Sequence, residues 1–309
     1  MRVLVTIPHY CRRSPGDDGF YGSERDTHEV RREALVRCLG ALHQTFGDQQ
    51  GLGGRGVTVH ANTELRARVE VIVVTSFADH LVDSLPRNLF FHQPTQVGPR
   101  ALGFVCHNLM RASAERFDWF VFLEDDIVVN DALLFDKLTW FNGLFGPDAL
   151  LQPNRYEVST ALELKKLYVD GDTNYPEIPA RFQDMSVRRN LEADAFGRTI
   201  RFQRIENTHS GCFFISAAQL ARMMQSPYFG QANTELFGPL ESAATLPLMT
   251  SFDVYKPSRE NAAFLEVHHV GTRFLVPRPI DTPPDTPPDA PPDAPPDTPP
   301  DTPPVDAPV

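Results

Sequence analysis

The chain has 309 residues, a formal net charge of −11 and four cysteines. Residues 281–309 hold seven Asp and no Lys or Arg, and removing those seven charges leaves −4 for the rest of the chain. So mild a charge argues against nucleic-acid binding, which depends on basic surface. The cysteines form no Cys-x-x-Cys pair, so we expect reduced thiols in a cytoplasmic protein rather than disulfides or a zinc site.

No apolar segment predicts membrane insertion. The run from Met1 to Pro8 is too short for the core of a signal peptide. No other segment approaches the roughly 20 apolar residues that are needed to cross a bilayer. We therefore expect a cytoplasmic protein without a membrane span.

The C-terminal segment consists of repeats. Asp281 to Pro304 is six tetrapeptides of the form Asp-(Thr/Ala)-Pro-Pro. This composition offers little to bury and favours extended polyproline II structure. We predict a disordered tail over 280–309, at most about 90 Å long. The sequence identifies no partner for this tail. The tail is either a plain solubilising extension or a segment that binds a partner.

Strand and helix patterns alternate in the first half of the chain. The predicted elements are a strand at Val3–Ile7, a helix from a Thr27 cap to about Phe46, a strand at Val69–Thr75, a weaker strand at Asn88–His92, a helix from Gly98 to about Arg116 and a strand at Trp119–Leu123. This order predicts an α/β fold, a mostly parallel sheet flanked by helices. Ligands bind such sheets outside the carboxyl ends of the strands.

The second half gives a less regular pattern. The predicted elements are a helix at 131–145 capped by Asn130 or Asp131, a strand at 209–216, a helix at 217–225, a short helix at 239–246 with Pro at its first position, and a strand at 263–270. Residues 150–207 are polar and irregular, and we assign no element there.

Three consecutive acids follow the buried strand Trp119–Leu123. Glu124, Asp125 and Asp126 would repel one another and lose hydration unless a cation lay among them. Mg²⁺ or Mn²⁺ meets that need, because hard cations prefer carboxylate oxygens and often bridge to phosphates. The alternative is a solvated acidic turn between two strands. The turn Pro8-His9-Tyr10 and Thr75 also lie at carboxyl ends of strands, so one crevice is expected to collect all of these residues.

The segment Phe122-Leu-Glu-Asp-Asp-Ile127 resembles a known motif. It is similar to the Glu-Asp-Asp form of the Asp-x-Asp motif of GT-A fold glycosyltransferases, seen for example in eukaryotic N-acetylglucosaminyltransferases. The resemblance is at motif level, covers about residues 1–275 and does not extend to the irregular stretch 150–207. It implies a domain over 1–279, with a nucleotide-binding half at 1–129 and an acceptor and catalytic half at 130–279.

The resemblance also implies ligands. These are Mn²⁺ or Mg²⁺, a nucleotide-diphosphate sugar as donor (a UDP-sugar is favoured), and a glycan or other hydroxyl acceptor. Asp126 would bind the metal directly, and Asp125 or Glu124 would contact the ribose or a metal-bound water. Tyr10 would lie against the base and Arg100 would contact the nucleotide; the alternatives are a plain turn aromatic and a solvated arginine at a helix start.

The segment Val267-His-His-Val-Gly271 resembles the late His-x-x-Gly of several GT-A families, whose His completes the metal shell. On that spacing His268 is the match. Alternation along a strand puts His269 on the opposite face, so only one of the two is expected to face the metal. A pair of edge-strand histidines is the alternative.

Glu241 is the favoured catalytic base, because a helix dipole stabilises a carboxylate in the first turn and an inverting transferase needs such a base. An ordinary first-turn Glu is the alternative, and Glu157 and Asp184 are weaker candidates. Gly211 would allow close approach of the backbone to the donor sugar, or would mark a bulge in a core strand.

The order of these motifs favours a transferase over two other functions. A nucleotidyltransferase that makes the activated sugar would usually carry a glycine-rich loop with a basic residue after the first strand, and Pro8-His9-Tyr10-Cys11 lacks that pattern. A non-enzymatic carbohydrate- or partner-binding module would ignore the nucleotide. The sequence leaves open the sugar, the base, the acceptor and the stereochemical outcome.

Overall fold

The part of the chain that the computed structural model describes, residues 1–12, 22–171, 173, 175–236 and 238–275, forms a mostly parallel α/β sheet flanked by helices and smaller sheets. Its strands are β1 (Arg2–His9), β2 (Gly51–Gly54), β3 (Val57–His60), β4 (Arg68–Ser76), β5 (Phe91–Thr95), β6 (Trp119–Leu123), β7 (Ile127–Val128), β8 (Ala149–Leu151), β9 (Asn154–Val158), β10 (Lys166–Tyr168), β11 (Asn190–Ala195), β12 (Arg198–Arg204), β13 (Cys212–Ser216), β14 (Asp253–Pro257) and β15 (Glu266–His269). Its α-helices are α1 (Gly22–Arg25), α2 (His28–Phe46), α3 (Leu102–Ala112), α4 (Leu134–Phe145), α5 (Ala217–Met223) and α6 (Pro239–Met249). The predicted tail at 280–309 lies outside the described residues.

The central sheet has five strands in the order β13-β6-β1-β4-β5. β1 pairs in parallel with both β4 and β6, and β4 pairs in parallel with β5. β13 is antiparallel to β6 and forms the edge of the sheet. The predicted fold class is therefore confirmed, and the strand that leads into the three acids lies inside the sheet.

Alternation along β1 divides the core between the two faces of the sheet. Val3, Val5 and Ile7 pack in a cluster that includes Leu35 and Leu39 of α2. Leu4 belongs to the opposite cluster, which α3 covers. Each fully buried aliphatic side chain of this kind contributes roughly 1.5–3 kcal/mol to the free energy of unfolding. Helices pack on both faces, so only the edges and ends of the parallel strands can hold a ligand.

The Thr27 cap that the sequence predicts begins α2, and a second polar cap, at Ser216, begins α5. The Thr27 hydroxyl accepts a hydrogen bond from the Val30 backbone N–H at the start of α2. Ser216 and Gln219 form a capping box at the start of α5. Pro239 occupies the first position of α6, which continues through Pro247 to Met249 rather than ending at Leu246.

Several predicted boundaries are shifted. The strand predicted at Asn88–His92 is β5, three residues later, because Arg87–Leu89 form a 3-10 turn. The helix predicted to begin at Asp131 begins at Leu134, because an Asp131 carboxylate oxygen accepts a hydrogen bond from the Leu133 N–H in a turn that precedes it. Further shifted elements are the helix that begins near Gly98, which ends at Ala112 (α3), the strand predicted at 209–216, which is Cys212–Ser216 (β13), the helix predicted at 217–225, which ends at Met223 (α5), and the strand predicted at 263–270, which is Glu266–His269 (β15).

No element was predicted for the stretch at 150–207. It contains the strands β9 to β12 and all but the first residue of β8. Its strands are short and alternate polar with half-buried residues, as in β11, so no apolar run reveals them. β9 and β10 join the four-stranded sheet β10-β9-β15-β7. β15 lies there beside β7, with His269 opposite Ile127. This pairing brings the late histidines next to the three acids.

None of the helices in the described residues combines the length and the apolar character that a membrane span requires. All four cysteines are buried free thiols, as the absence of a paired spacing predicted.

Candidate active site

A cavity of about 760 Å³ opens at the carboxyl ends of β1 and β6. Residues from distant parts of the chain meet in its wall, and these include most of the predicted site: Pro8, Tyr10, Arg100, Glu124, Asp125, Asp126, Glu241 and His269. His9, Thr75 and His268 do not line the cavity. Eight of the eleven predicted site residues therefore lie in the wall of one cavity, and the other three do not.

Asp125 is paired with two side chains that the protein itself supplies, His9 and Arg31. It accepts a hydrogen bond of 2.5 Å from His9 Nδ1 and forms an ion pair with Arg31. The other ring nitrogen of His9 accepts the N–H of Leu81, which leaves Nδ1 as the nitrogen that donates to Asp125. Burial raises the pKa of Asp125, but Arg31 and His9 outweigh it and hold the pKa at about 2. Asp125 is therefore an anion whose partners are already present.

Asp126 is only partly satisfied. Its Oδ2 accepts a hydrogen bond of 3.0 Å from an Arg31 guanidinium nitrogen and lies 3.8 Å from His269 Nε2. Its Oδ1 is buried and has no hydrogen-bond partner among the described residues. A buried carboxylate oxygen without a partner is costly, and a bound ligand would relieve that cost. The backbone oxygen of Asp126 accepts the Val270 N–H, which fixes the histidine strand beside it.

His269, rather than His268, faces the acids. Its Nδ1 lies 2.9 Å from Oε1 of Glu157, a fully buried carboxylate whose Oε2 accepts the backbone N–H groups of Phe274 and Leu275. A carboxylate only accepts hydrogen bonds, so Nδ1 carries the hydrogen and Nε2 faces Asp126. Burial lowers the pKa of His269, but Asp126 and Glu157 outweigh it and the pKa lies above its ordinary value.

His268 lies on the other face of β15. Its ring stacks on Tyr156 with the centroids 5.2 Å apart, away from the cavity. The His-x-x-Gly spacing selected His268, whereas the geometry places His269 beside the acids. The prediction that only one of the pair faces the acids agrees with the structure, because successive side chains of a strand point to opposite faces.

Glu124 lies between Arg155 and His209. Its carboxylate oxygens are 4.0 Å from an Arg155 nitrogen and 3.7 Å from His209 Nε2. Burial, with the charge of Asp126, raises the pKa of Glu124 to about 7. A Cβ at Gly211, where φ is +63°, would lie 2.6 Å from Glu124 Oε2. The expected close approach at Gly211 is thus an approach to this carboxylate.

A buried ion network supports Glu124 from behind. Arg155 Nε donates to Asp170 at 3.0 Å, and Lys256 Nζ donates to the same carboxylate at 2.9 Å. Lys256 also donates to the backbone oxygen of His209 at 2.7 Å. Burial and the charge of Arg155 lower the pKa of His209 to about 3, so its ring is neutral beside Glu124. The network fixes the back wall of the cavity.

Glu241 lies in the cavity wall in the first turn of α6. Its Oε2 is buried and has no hydrogen-bond partner among the described residues. The two other base candidates differ from it. The Glu157 carboxylate accepts hydrogen bonds from His269 and from backbone N–H groups that follow it. Asp184 is exposed, accepts a hydrogen bond from the Ser186 N–H and does not line the cavity.

The remaining predicted residues divide between the cavity and the core. Tyr10 and Arg100 line the cavity with Pro8. Thr75 is fully buried and its hydroxyl bonds to His92 at 2.8 Å. Arg31 and Arg155, the arginines that pair with the three acids, were not among the residues predicted from the sequence. Arg31 could have been found, because it is in register with the buried stripe of α2 at Leu35, Cys38 and Leu42.

The acids and histidines do not by themselves enclose a metal ion. In the described ranges, no group of three or more His, Cys, Asp or Glu side chains is arranged to hold one. Asp126 and His269 both line the cavity, with Asp126 Oδ2 3.8 Å from His269 Nε2. A divalent ion held there would need further oxygen ligands from water or from a phosphate.

No protein-family model matches this chain, and no curated protein matches its sequence. Among solved structures, it is similar to S. aureus TarS 1-349, with 10% identity and a TM-score of 0.43 over 87% of this chain and 60% of that chain. It is similar to S. aureus TarS with 10% identity and a TM-score of 0.43, over 88% of this chain and 37% of that chain. For S. aureus TarS 1-349 in complex with UDP-GlcNAc, the identity is 10% and the TM-score is 0.42, over 87% of this chain and 60% of that chain. This chain thus spans less than two thirds of the length of each. A likeness at this level identifies neither a substrate nor a reaction.

Proposed function

We propose that this chain is a metal-dependent GT-A fold glycosyltransferase, which moves a sugar from a nucleotide-diphosphate sugar, a UDP-sugar, to an acceptor hydroxyl. The observation that carries the proposal is the meeting of Asp126 and His269, 3.8 Å apart, in the wall of a 760 Å³ cavity. The two residues come from separate parts of the chain, and the pairing of β15 with β7 brings them together. Their order along the chain fits the motif resemblance, whereas the His-x-x-Gly spacing of that motif selects His268.

A divalent cation fits the donor set at this point. Oδ1 of Asp126 is buried and has no hydrogen-bond partner in the part of the chain that the structure describes, and Nε2 of His269 is turned toward the same carboxylate. One carboxylate and one imidazole leave most positions of Mn²⁺ or Mg²⁺ for phosphate oxygens and water, which suits a metal that binds together with a diphosphate. When bound, the cation would neutralise charge that develops on the diphosphate leaving group.

The chain's own residues would divide the remaining work. Tyr10 and Arg100, at one side of the cavity, would contact the base and the nucleotide. Arg155 and His209 would hold Glu124 toward the ribose or the donor sugar. Glu241 would take the proton from the acceptor hydroxyl as that oxygen attacks the anomeric carbon and the nucleoside diphosphate leaves.

The proposal is tested by screening UDP-, GDP- and other nucleotide sugars, UDP-GlcNAc among them, with Mn²⁺ present. We expect the release of free UDP from at least one UDP-sugar and its loss when EDTA removes the metal. Calorimetry is expected to give UDP binding that weakens without Mn²⁺. A binding module would ignore the nucleotide, and a nucleotidyltransferase would release pyrophosphate from a nucleoside triphosphate and a sugar phosphate; either result would contradict the proposal.

Glu157 is expected to set the orientation of His269. Glu157→Gln places an NH₂ group either against Nδ1–H of His269 or against the two backbone N–H groups, so one of the contacts is lost. Loss of such an outer partner of a metal ligand typically weakens metal affinity by about 10–100-fold. We expect that loss for Mn²⁺ in the presence of UDP, measured by calorimetry.

The matched control is Glu163→Gln, which makes the same change at an exposed carboxyl group. It is expected to leave the Mn²⁺ affinity unchanged. Thermal unfolding of both variants distinguishes a lost orientation from a lost fold. A folded Glu157→Gln protein with the Mn²⁺ affinity of the wild type would disprove the role of Glu157.

A further inference from the structure

Arg31 is a buried cation in the cavity wall to which the proposed function gives no role. It lies in the first turn of α2, is 5% exposed, and bridges Asp125 and Asp126. Burial lowers the pKa of Arg31, but the two carboxylates outweigh it and raise the pKa above its ordinary value. Arg31 therefore stays charged and supplies a cation to the acidic motif from within the protein.

The position of Arg31 opposes a second cation at the same carboxylate. Its guanidinium donates to Asp126 Oδ2 at 3.0 Å, so a divalent ion on Asp126 would lie beside a fixed positive charge. Like charges in a partly buried site repel strongly because little solvent screens them. Asp125 does not relieve this repulsion, since it is already shared between Arg31 and His9.

A diphosphate would relieve the repulsion. It brings at least two negative charges, which can lie between a metal on Asp126 and the guanidinium of Arg31. Nε of Arg31 is also buried without a hydrogen-bond partner in the described part of the chain. Arg31 lines the cavity, so a diphosphate bound there would meet its guanidinium in the wall, and the planar guanidinium matches the geometry of phosphate oxygens.

We propose that Arg31 is a built-in counter-ion that couples metal binding to binding of the donor's diphosphate. Without donor, Arg31 neutralises Asp126 and the divalent cation binds weakly; with donor, both bind tightly. This inference rests on the proposed function, because it takes Asp126 as the metal ligand. Linkage requires that UDP and Mn²⁺ strengthen each other by the same factor, and couplings of this kind are typically about 5–150-fold.

The test is calorimetry of Mn²⁺ binding with and without UDP, in the wild type and in Arg31→Met. We expect UDP to tighten Mn²⁺ binding at least about tenfold in the wild type. In Arg31→Met, we expect Mn²⁺ alone to bind about tenfold more tightly and the effect of UDP to shrink by a similar factor. The control is Arg32→Met, which removes the same charge from the exposed side of α2 and should behave as the wild type.

The outcomes separate this inference from the function on which it rests. Absence of UDP-dependent Mn²⁺ binding in the wild type would overturn both. Wild-type coupling that persists unchanged in Arg31→Met, or Mn²⁺ binding that does not tighten there without UDP, would overturn the role of Arg31 alone. If Arg31→Met does not fold, Arg31→Lys is the second variant, because it keeps the charge but cannot bridge Asp125 and Asp126 as a guanidinium does. We expect Arg31→Lys to reduce the coupling, and unchanged coupling would again overturn the inference.

Discussion

Asp126→Ala is expected to reduce donor turnover by on the order of 10³-fold or more, because the proposed site loses the carboxylate that would hold the metal together with His269. The same variant is expected to bind UDP equally with and without Mn²⁺. The reason lies in the geometry, since Oδ1 of Asp126 has no partner within the described protein and His269 Nε2 is directed at Oδ2. Turnover is measured with the UDP-sugar that the wild type uses best.

The matched control for this prediction is Asp136→Ala. Asp136 is an exposed carboxylate in the first turn of α4, and we expect wild-type turnover from its variant. Asp126→Ala leaves Arg31 paired with Asp125, so the protein is expected to remain folded, which thermal unfolding can verify. If Asp126→Ala keeps wild-type turnover and Mn²⁺-dependent UDP binding, neither the metal ligand nor the metal-dependent mechanism stands.

The sheet could be predicted because its strands have strong local signals. Val69–Thr75 and Trp119–Leu123 are apolar runs flanked by helical patterns, and both are strands of the central sheet. The helix starts at Thr27 and Pro239 were found for the same reason, since capping chemistry is encoded within a few residues. Strands such as Asn190–Ala195 were missed, because their half-buried face carries mostly small residues and their exposed face carries polar and charged ones.

The site could be predicted in part, and its limits have a physical cause. Motif spacing identified the acids and the histidine pair but selected His268, because the face that a strand residue presents depends on the strand's partner. The pairing of β15 with β7 and β9 decides that His269 faces Asp126. His9 and Thr75 were expected at the cavity, yet both are fully buried behind its wall.

The cations of the site were the larger omission. Three adjacent carboxylates require compensating positive charge, and a metal ion alone was predicted to provide it. The structure adds Arg31 from α2 and Arg155 from β9. Neither lies near the acids in sequence, so no local pattern connects them. Arg31 was detectable as a charged residue within the apolar stripe of an amphipathic helix, which is a pattern that marks a buried ion pair.

Glu241→Gln is expected to lower kcat by about 10²–10⁴-fold, the usual contribution of a general base. Its Oε2 is buried, has no hydrogen-bond partner in the described residues, and lies in the wall of the cavity. A carboxylate in that state can accept the proton of an acceptor hydroxyl, whereas an amide cannot. Gln has the same shape as Glu, so α6 and the fold are expected to persist.

The separation of kcat from binding is the decisive measurement for Glu241. A base that meets the acceptor hydroxyl affects the chemical step, so the Mn²⁺-dependent affinity for UDP should equal that of the wild type. Glu235→Gln, at an exposed carboxyl shortly before α6, is the control and should retain full activity. Equal kcat values for Glu241→Gln and the wild type would make Glu241 an ordinary first-turn glutamate. If Glu241→Gln instead lowers the affinity for UDP and leaves kcat unchanged, Glu241 belongs to the donor site. A base that acts on the acceptor is not expected to change the affinity for the donor.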